Sequence, residues 1–262
     1  MAFTALIVDI TNSRKLAKDD RQAYQIKMRE ALDFLNGLFY KEIKYKVVFS
    51  LGDSVQGMFY TSSAAYRYFL YLETLVYPLS IRGGIGIGDI SIDIEGFDSN
   101  MQDGPAYYHA REALDICHDR GLDLIIVGTK NDLYLNEIFK VITKLRNGSK
   151  KRKDVANLVN LLYPYGIERI NKKEYSSLIS NYILSNIKNY DKINLQNGNF
   201  KIEYDSKIDN ETMLPAVSIP TSLSQSISQI LGTSRENIRQ MIESGEMNQI
   251  RNLIIISDKL LH

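Results

Sequence analysis

The first half of the sequence alternates strand-like and helix-like segments, and their order restricts the folds that the chain can adopt. Residues 3–9, 79–92 and 121–128 have the apolar pattern of strands, and residues 44–60 predict a hairpin around Gly52 and Asp53. The apolar periodicity of helices is found over 19–38, 62–76 and 105–118, and again up to about 145. The order β-α-β-β-α-β-α-β-α predicts an α/β (α+β) domain, residues 1–147, in which helices cover one sheet with a ferredoxin-like core.

The composition is that of an ordinary globular protein, and it excludes several classes of function. The 262 residues carry a formal net charge of +1, so no global field attracts nucleic acid or a membrane. Cys117 is the only cysteine, which excludes an internal disulfide, and the three histidines are scattered, so we expect no zinc site. The sequence lacks a bilayer-spanning apolar stretch and a signal-peptide pattern at its N-terminus. We therefore expect a cytoplasmic protein that does not enter a membrane.

Two aspartates follow apolar runs at positions where a divalent cation could bind. Asp9 ends the first predicted strand, and Asp53 lies in the turn of the predicted hairpin. If these segments are neighbouring strands, both carboxylates emerge at the same end of the sheet. Two carboxylates held close together repel each other, so either one keeps a proton or a cation joins them. Each aspartate alone is better explained as a turn or cap residue, but together they predict a site for Mg²⁺ or Mn²⁺.

Four glycines interrupt the strand predicted over residues 79–92, namely Gly83, Gly84, Gly86 and Gly88. Glycine weakens a strand, so its repeated use indicates that backbone or a ligand approaches closely there. Two explanations stay open: the glycines admit a closely packed helix, or their bare backbone lies against a nucleotide.

The remainder of the chain, residues 148–262, predicts a mainly helical second domain. The basic run Lys144–Lys153 is interpreted as a solvated linker, with a phosphate-contacting arm as the alternative. Asn197 and Gly198 predict a β-hairpin over 192–204. Residues 222–243 have the spacing of a helix-turn-helix, in which Gly232 makes the turn and Ser234 caps the second helix.

The second helix of this motif would present four polar side chains to the major groove of double-stranded DNA: Arg235, Asn237, Arg239 and Gln240. The alternative is a helical hairpin that packs against protein. The final helix, residues 250–261, is apolar on one side and offers a surface for a homodimer.

Four short motifs of the first domain follow one another as they do in class III nucleotidyl cyclases. They are Ile7-Val8-Asp9-Ile10-Thr11-Asn12-Ser13, then Leu51-Gly52-Asp53 with Met58-Phe59, then the glycine-rich run from Arg82 to Ile90, and then Asp103-Gly104-Pro105-Ala106-Tyr107-Tyr108 with Ala110-Arg111. The first domain thus resembles the palm domain of these cyclases. The whole chain resembles most closely the SatD family, which has a cyclase-like front and a helix-turn-helix rear.

This resemblance implies a role for each matching residue. Asp9, Asp53 and the Ile10 carbonyl would be the metal ligands, and the Asn12 and Ser13 amides would cradle phosphates. The remaining matches would bind the nucleotide through Gly52, Gly84 and Gly86, and Arg111 would be the catalytic arginine. The resemblance also implies a homodimer with sites between two palm domains.

The chain departs from the cyclase pattern at positions needed for catalysis. Phe49 occupies the place of the base-reading lysine. The transition-state asparagine and arginine fall on Tyr108 and Glu112, whereas a shift by one residue restores Arg111 but leaves Tyr107. Phosphoryl transfer depends on positioning and charge stabilisation, so both alignments weaken catalysis.

Three functions are compatible with these residues. The favoured hypothesis is a metal-dependent nucleotide-binding regulator that couples the palm domain to a DNA-binding helix-turn-helix. The alternative is an active Mg²⁺-dependent nucleotidyl cyclase or nucleotidyltransferase acting on nucleoside triphosphates. A scaffold that retains only the fold is the third. The expected partners are a nucleoside triphosphate or other nucleotide, double-stranded DNA and a second copy of the chain.

Overall fold

The computed structural model describes residues 2–11, 18–50, 52–166, 175, 177, 180, 219–244 and 246–262. By their contacts, the residues form two compact units. The first comprises Met1–Val141 with Ser257–His262, and the second comprises Ile142–Ile256. The sequence placed a single boundary after residue 147, whereas this division falls after Val141 and again after Ile256. The hairpin predicted over 192–204 lies outside the described residues.

The first unit contains one five-stranded sheet. Its strands are β1 (Phe3–Ile10), β2 (Ile43–Phe49), β3 (Val55–Phe59), β4 (Ile81–Gly88) and β5 (Leu124–Val127). They lie in the order β2-β3-β1-β4-β5, with β1 antiparallel to both β3 and β4, β2 antiparallel to β3, and β4 parallel to β5. The α/β fold and the order of elements predicted from the sequence are confirmed.

Helices lie on both faces of this sheet. They are α1 (Lys18–Leu38), α2 (Ser62–Val76), α3 (Pro105–Arg120) and α4 (Asp132–Arg146), the last of which extends past Val141. Two consecutive glycines of β4 show which helix lies on which face. A Cβ added at Gly83 would lie 2.5 Å from the Phe69 ring of α2, whereas one added at Gly84 would lie 2.1 Å from the Ala110 carbonyl oxygen of α3. Because successive strand residues point to opposite faces, α2 and α3 cover opposite faces.

The α3 face depends on the bare backbone of β4. A Cβ at Gly86 would lie 2.1 Å from the Ala110 amide nitrogen, and one at Gly88 would lie 2.8 Å from the Ala106 amide nitrogen. The helix face that meets these glycines includes Ala106 and Ala110, which are fully buried, and Leu114, which is almost fully buried. Of the two explanations offered for the glycines, the structure shows close packing of a helix.

The last residues of the chain pack on the N-terminal half of α2. The Ser62 hydroxyl donates a 2.7 Å hydrogen bond to the Leu261 carbonyl, and the Ser63 hydroxyl bonds to the Asp258 carboxylate. Arg67 Nε lies 3.6 Å from the same carboxylate, with both side chains largely buried. These contacts explain why residues 257–262 belong to the first unit.

The second unit is helical where it is described. Beyond the end of α4, it contains α5 (Lys150–Leu162), α6 (Thr221–Leu231), α7 (Arg235–Glu243) and α8 (Glu246–Leu260), of which the last four residues belong to the first unit. Gly232 has the left-handed φ of +59° between α6 and α7, and the Ser234 hydroxyl accepts from the Asn237 amide. The predicted turn glycine and helix cap are therefore confirmed.

Two interpretations of this region are wrong. The run Lys144–Lys153 is not a linker, because α4 continues to Arg146 and the Ser149 hydroxyl caps α5 by accepting from the Arg152 amide. The apolar side of residues 250–261 is not a free dimer surface, since Ile250, Ile254 and Ile255 are buried within the chain. No described helix is long and apolar enough to cross a membrane.

A single methyl group tests the packing of α3 on β4. Gly86→Ala should lower the free energy of unfolding by about 3 kcal/mol, because the new Cβ meets backbone that cannot move aside. Gly37→Ala is the matched control: its Cβ meets nothing within 4 Å, and it should raise the free energy of unfolding by about 0.5–1 kcal/mol. Denaturant titration measures both. Equal midpoints for the two variants would contradict the packing described here.

Candidate metal and nucleotide site

Asp9 and Asp53 lie just beyond the last recorded pair of β1 and β3. Val8 of β1 is opposite Val55 of β3, so Asp9 follows this pair on one strand and Asp53 precedes it by two residues on the other. Burial is the largest cause that raises the pKa of the Asp9 carboxyl above its ordinary value, and the negative charge of Asp53 is the second. The two carboxylates therefore repel each other at one end of the sheet.

The Asp53 carboxylate is incompletely satisfied. Its Oδ2 atom is buried and accepts no hydrogen bond from any residue that the structure describes. A buried carboxylate oxygen that lacks a donor has lost its water without a replacement, which is costly. A cation at this oxygen would remove the cost.

The Asp9 carboxylate has partners that favour its ionised form. His118 Nε2 lies 3.2 Å from Asp9 Oδ2, and the Ile10 amide donates to the same carboxylate. Arg82 Nη1 lies 3.0 Å from the other ring nitrogen of His118, Nδ1. His118, the Ile10 amide and Arg82 each lower the pKa of Asp9, although burial and Asp53 together outweigh them.

The sheet register and the helix packing together place these side chains. Arg82 is directly opposite Asp9 in the pairing of β4 with β1. The backbone of α3 reaches Gly88 at Ala106, Gly86 at Ala110 and Gly84 at Leu114, so each helical turn advances two residues along β4. One more turn brings His118 level with Arg82.

Neither Arg82 nor His118 was assigned a role from the sequence. Nothing local marks His118, which is 109 positions from Asp9 in the chain. The sequence signal that could have revealed the His118 contact is the spacing of the β4 glycines. Each turn of α3 advances two residues along β4, so the turn after the one at Gly84 brings His118 level with Arg82.

The donors present suit a hard divalent cation that shares its coordination with a ligand. The two carboxylates and the Ile10 carbonyl would all bind through oxygen atoms. Mg²⁺ typically binds one or two carboxylates together with water and substrate phosphates. Within the described residues, no group of three or more His, Cys, Asp or Glu side chains is arranged to hold a metal. The site thus fits an ion that is completed by phosphate oxygens, and it does not fit a metal enclosed by protein alone.

The structure describes three of the five residues predicted to contact the nucleotide. Asn12 and Ser13 lie outside the described residues. Gly52 is in the β2–β3 turn with a φ of +72° and open space around its Cα. Gly84 and Gly86 lie against the backbone of α3, and their contact with a nucleotide stays a prediction.

Arg111, the tentative catalytic arginine, is exposed on α3. It lies seven residues before His118, or about 10 Å along the helix axis at the usual rise per residue. The structure therefore does not bring Arg111 to Asp9 as it does His118.

The positions that depart from the cyclase pattern have other partners. Tyr107 is buried with its hydroxyl 2.8 Å from the Ser99 hydroxyl, and the Tyr108 hydroxyl donates a 2.7 Å bond to Asp103. Phe49 lines a groove of about 620 Å³ between α1 and β2. Neither tyrosine supplies the amide that the missing asparagine would provide.

The four residues predicted to contact DNA are all exposed on α7, but its charges are balanced. Arg239 forms ion pairs with Glu236 at 2.7 Å and with Glu243 at 3.0 Å. Arg235 donates from Nε to the Ser224 hydroxyl at 3.4 Å. Asn237 and Gln240 complete the set on a helix of nine residues, whose two arginines are matched by two glutamates.

Three solved cyclase structures show low similarity to this chain. A bacterial light-regulated adenylyl cyclase is 17% identical with a TM-score of 0.37, covering 48% of this chain and 74% of its own. The guanylate cyclase domain of RhGC from Catenaria anguillulae in complex with GTP is 19% identical with a TM-score of 0.35, covering 44% and 72%. The adenylyl cyclase CyaB from P. aeruginosa is 17% identical with a TM-score of 0.31, covering 42% and 70%.

The chain has no significant match among curated proteins. A model of the SatD family matches residues 3–155, which include the whole sheet and both aspartates. The match ends before residues 222–243, so the DNA-binding helix-turn-helix stays a prediction. Because the matched segment is more than half of the chain, this protein belongs to the SatD family.

Proposed function

We propose that the first unit binds a nucleoside triphosphate through a Mg²⁺ or Mn²⁺ ion held by Asp9 and Asp53. The observation that carries this proposal is the buried Oδ2 of Asp53, which has no described donor and belongs to a carboxylate that repels Asp9. A pair of carboxylates in this state destabilises the metal-free fold, and a divalent cation converts the repulsion into shared coordination.

The small number of protein donors to the ion favours a ligand that carries phosphate groups. Two carboxylates and a carbonyl leave coordination positions of the ion open to water and phosphate. Asn12 and Ser13 follow Thr11, the first residue after the strand that carries Asp9, and their amides are the proposed phosphate donors. In this arrangement, Asp9, Asp53 and the Ile10 carbonyl hold the ion, the ion and the amides hold the phosphates, and Gly52 leaves the hairpin turn open beside them.

Turnover is not part of this proposal. The alternative of an active nucleotidyl cyclase or nucleotidyltransferase needs charge stabilisation at positions now occupied by Phe49, Tyr107 and Tyr108. Incubation with the four nucleoside triphosphates and Mg²⁺ or Mn²⁺, followed by mass spectrometry, tests it. The homodimer also stays a prediction, which light scattering with and without nucleotide tests.

The proposal predicts metal-dependent nucleotide binding by the full chain. A nucleoside triphosphate should raise the melting temperature in Mg²⁺ and not in EDTA, because a ligand that binds only the folded state stabilises it. Asp9→Asn and Asp53→Asn should each abolish the shift. Asp33→Asn, which changes an exposed aspartate of α1, is the matched control and should retain it. If no triphosphate shifts the wild-type protein at millimolar concentration, the proposal is wrong.

Removing one charge should stabilise the metal-free protein. Asp53→Asn should raise the free energy of unfolding in EDTA by about 1 kcal/mol, because it removes a repulsion that raises the pKa of Asp9. A raised pKa in the folded state also means that stability falls as the pH rises from the unfolded value of 3.8. The variant should show a smaller fall over this window. Urea titrations between pH 4 and 7 measure both effects, and a destabilised variant in EDTA would contradict the repulsion.

A regulatory role, in which α7 contacts double-stranded DNA, stays a prediction with a specific test. Arg239 can reach a base only if it leaves Glu236 and Glu243. Glu236→Gln combined with Glu243→Gln should therefore strengthen binding, whereas Arg239→Ala should lose roughly 1–3 kcal/mol. Selection from a random duplex library, followed by fluorescence anisotropy at two salt concentrations, measures this. Indifference to both variants would favour a helical hairpin that packs against protein.

A further inference from the structure

Three side chains from three different elements form a line that ends at Asp9. Arg82 of β4 reaches Nδ1 of His118 at 3.0 Å, and Nε2 of His118 reaches Oδ2 of Asp9 at 3.2 Å. The register of β1 with β4 places Arg82 opposite Asp9, and His118 comes from the last turn of α3. The imidazole thus lies between a guanidinium and a carboxylate.

The chemistry of Arg82 determines the direction of both hydrogen bonds. A guanidinium only donates hydrogen bonds, so Nδ1 of His118 must accept one through its lone pair. A neutral imidazole carries its single proton on the other nitrogen when Nδ1 is an acceptor. Nε2 of His118 therefore donates to Asp9. In this tautomer, Nε2 has no lone pair with which to bind a metal.

We propose that Arg82 and His118 are positioning residues for the metal carboxylate Asp9, with Arg82 fixing the histidine tautomer and His118 donating a hydrogen bond that orients the carboxylate. This inference rests on the proposed function of the Asp9 and Asp53 pair. Hydrogen bonds from an outer shell of residues to ligating carboxylates hold the ligand in place and support metal affinity. The donor set stays entirely oxygen, because the histidine acts on Asp9 and not on the ion.

The proposal makes the Asp9 carboxylate asymmetric. Oδ2 is occupied by His118, and the Ile10 amide supplies a further hydrogen bond to the carboxylate. These donors hold the side chain at the end of β1, where Asp53 also lies. Without them, the repulsion from Asp53 would favour rotation of Asp9 away from the shared position.

The tautomer can be measured without metal or nucleotide. In ¹⁵N-histidine NMR spectra of the metal-free full chain, the neutral form of His118 should carry its proton on Nε2. His109 is a built-in reference, because its Nδ1 lies 2.6 Å from the Ile87 carbonyl and must carry the proton there. Spectra of His118→Phe assign the signals. Arg82→Met should abolish the bias towards Nε2–H in His118 and leave His109 unchanged.

The positioning role is tested by Mn²⁺ affinity, measured by electron paramagnetic resonance. His118→Phe keeps a ring without a donor and should weaken Mn²⁺ binding about 10–100-fold. His118→Gln places an amide nitrogen near the position of Nε2 and should restore most of the affinity. His118→Asn, whose amide reaches only the position of Nδ1, should not restore it. The side chain of His118 is 42% exposed, so these variants should keep their melting temperatures in EDTA.

Failure of this inference differs from failure of the proposed function. If the wild type and Asp53→Asn bind Mn²⁺ equally weakly, the proposed function is wrong. If the wild type binds Mn²⁺ and His118→Phe binds it equally well, the site stands and the positioning role is overturned. A proton on Nδ1 in the neutral form of His118 would overturn the role of Arg82 whatever the metal affinity.

Discussion

The close approach of α3 to the glycines of β4 is the contact on which the site depends. Side chains normally separate a helix from the sheet that it covers, but here helix backbone lies within 2.1 Å of where Cβ atoms at Gly84 and Gly86 would be. At this separation, the helix cannot slide or rotate without a clash. Its last turn is therefore fixed relative to β1, and His118 reaches Asp9. Packing in the core thus determines a hydrogen bond at the edge of the sheet.

The same end of the sheet carries an unfavourable arrangement of charge. Burial and Asp53 both raise the pKa of Asp9, and one oxygen of Asp53 is buried with no described donor. Hydrophobic packing around β1 holds the two carboxylates there, since Ile7, Val8 and Val55 are almost fully buried. Local instability that is held in place by a well-packed core is typical of a binding site, because the ligand supplies the missing interaction.

The sequence predicted the elements well and the contacts between them poorly. Helix α2 was predicted within its observed bounds, Ser62–Val76, because its apolar periodicity is a local signal. The run Lys144–Lys153 was misread because charge suggested a linker, whereas Ser149 caps α5 within it. The His118–Asp9 contact was missed because it depends on how far each turn of α3 advances along β4. That quantity follows from three-dimensional packing, and the glycine spacing reveals it only once the helix is known to lie there.

The glycines of β4 link the packing of the core to the site. The sequence left open whether the bare backbone of β4 packs against a helix or a nucleotide, and the structure shows α3 packed against it. Yet this packing is not separate from the site. Each turn of α3 advances two residues along β4, so the helix that covers Gly86 and Gly84 brings His118 level with Arg82 and hence with Asp9. A residue that enlarged β4 at Gly86 would therefore act on Asp9 through α3, without contacting the carboxylate.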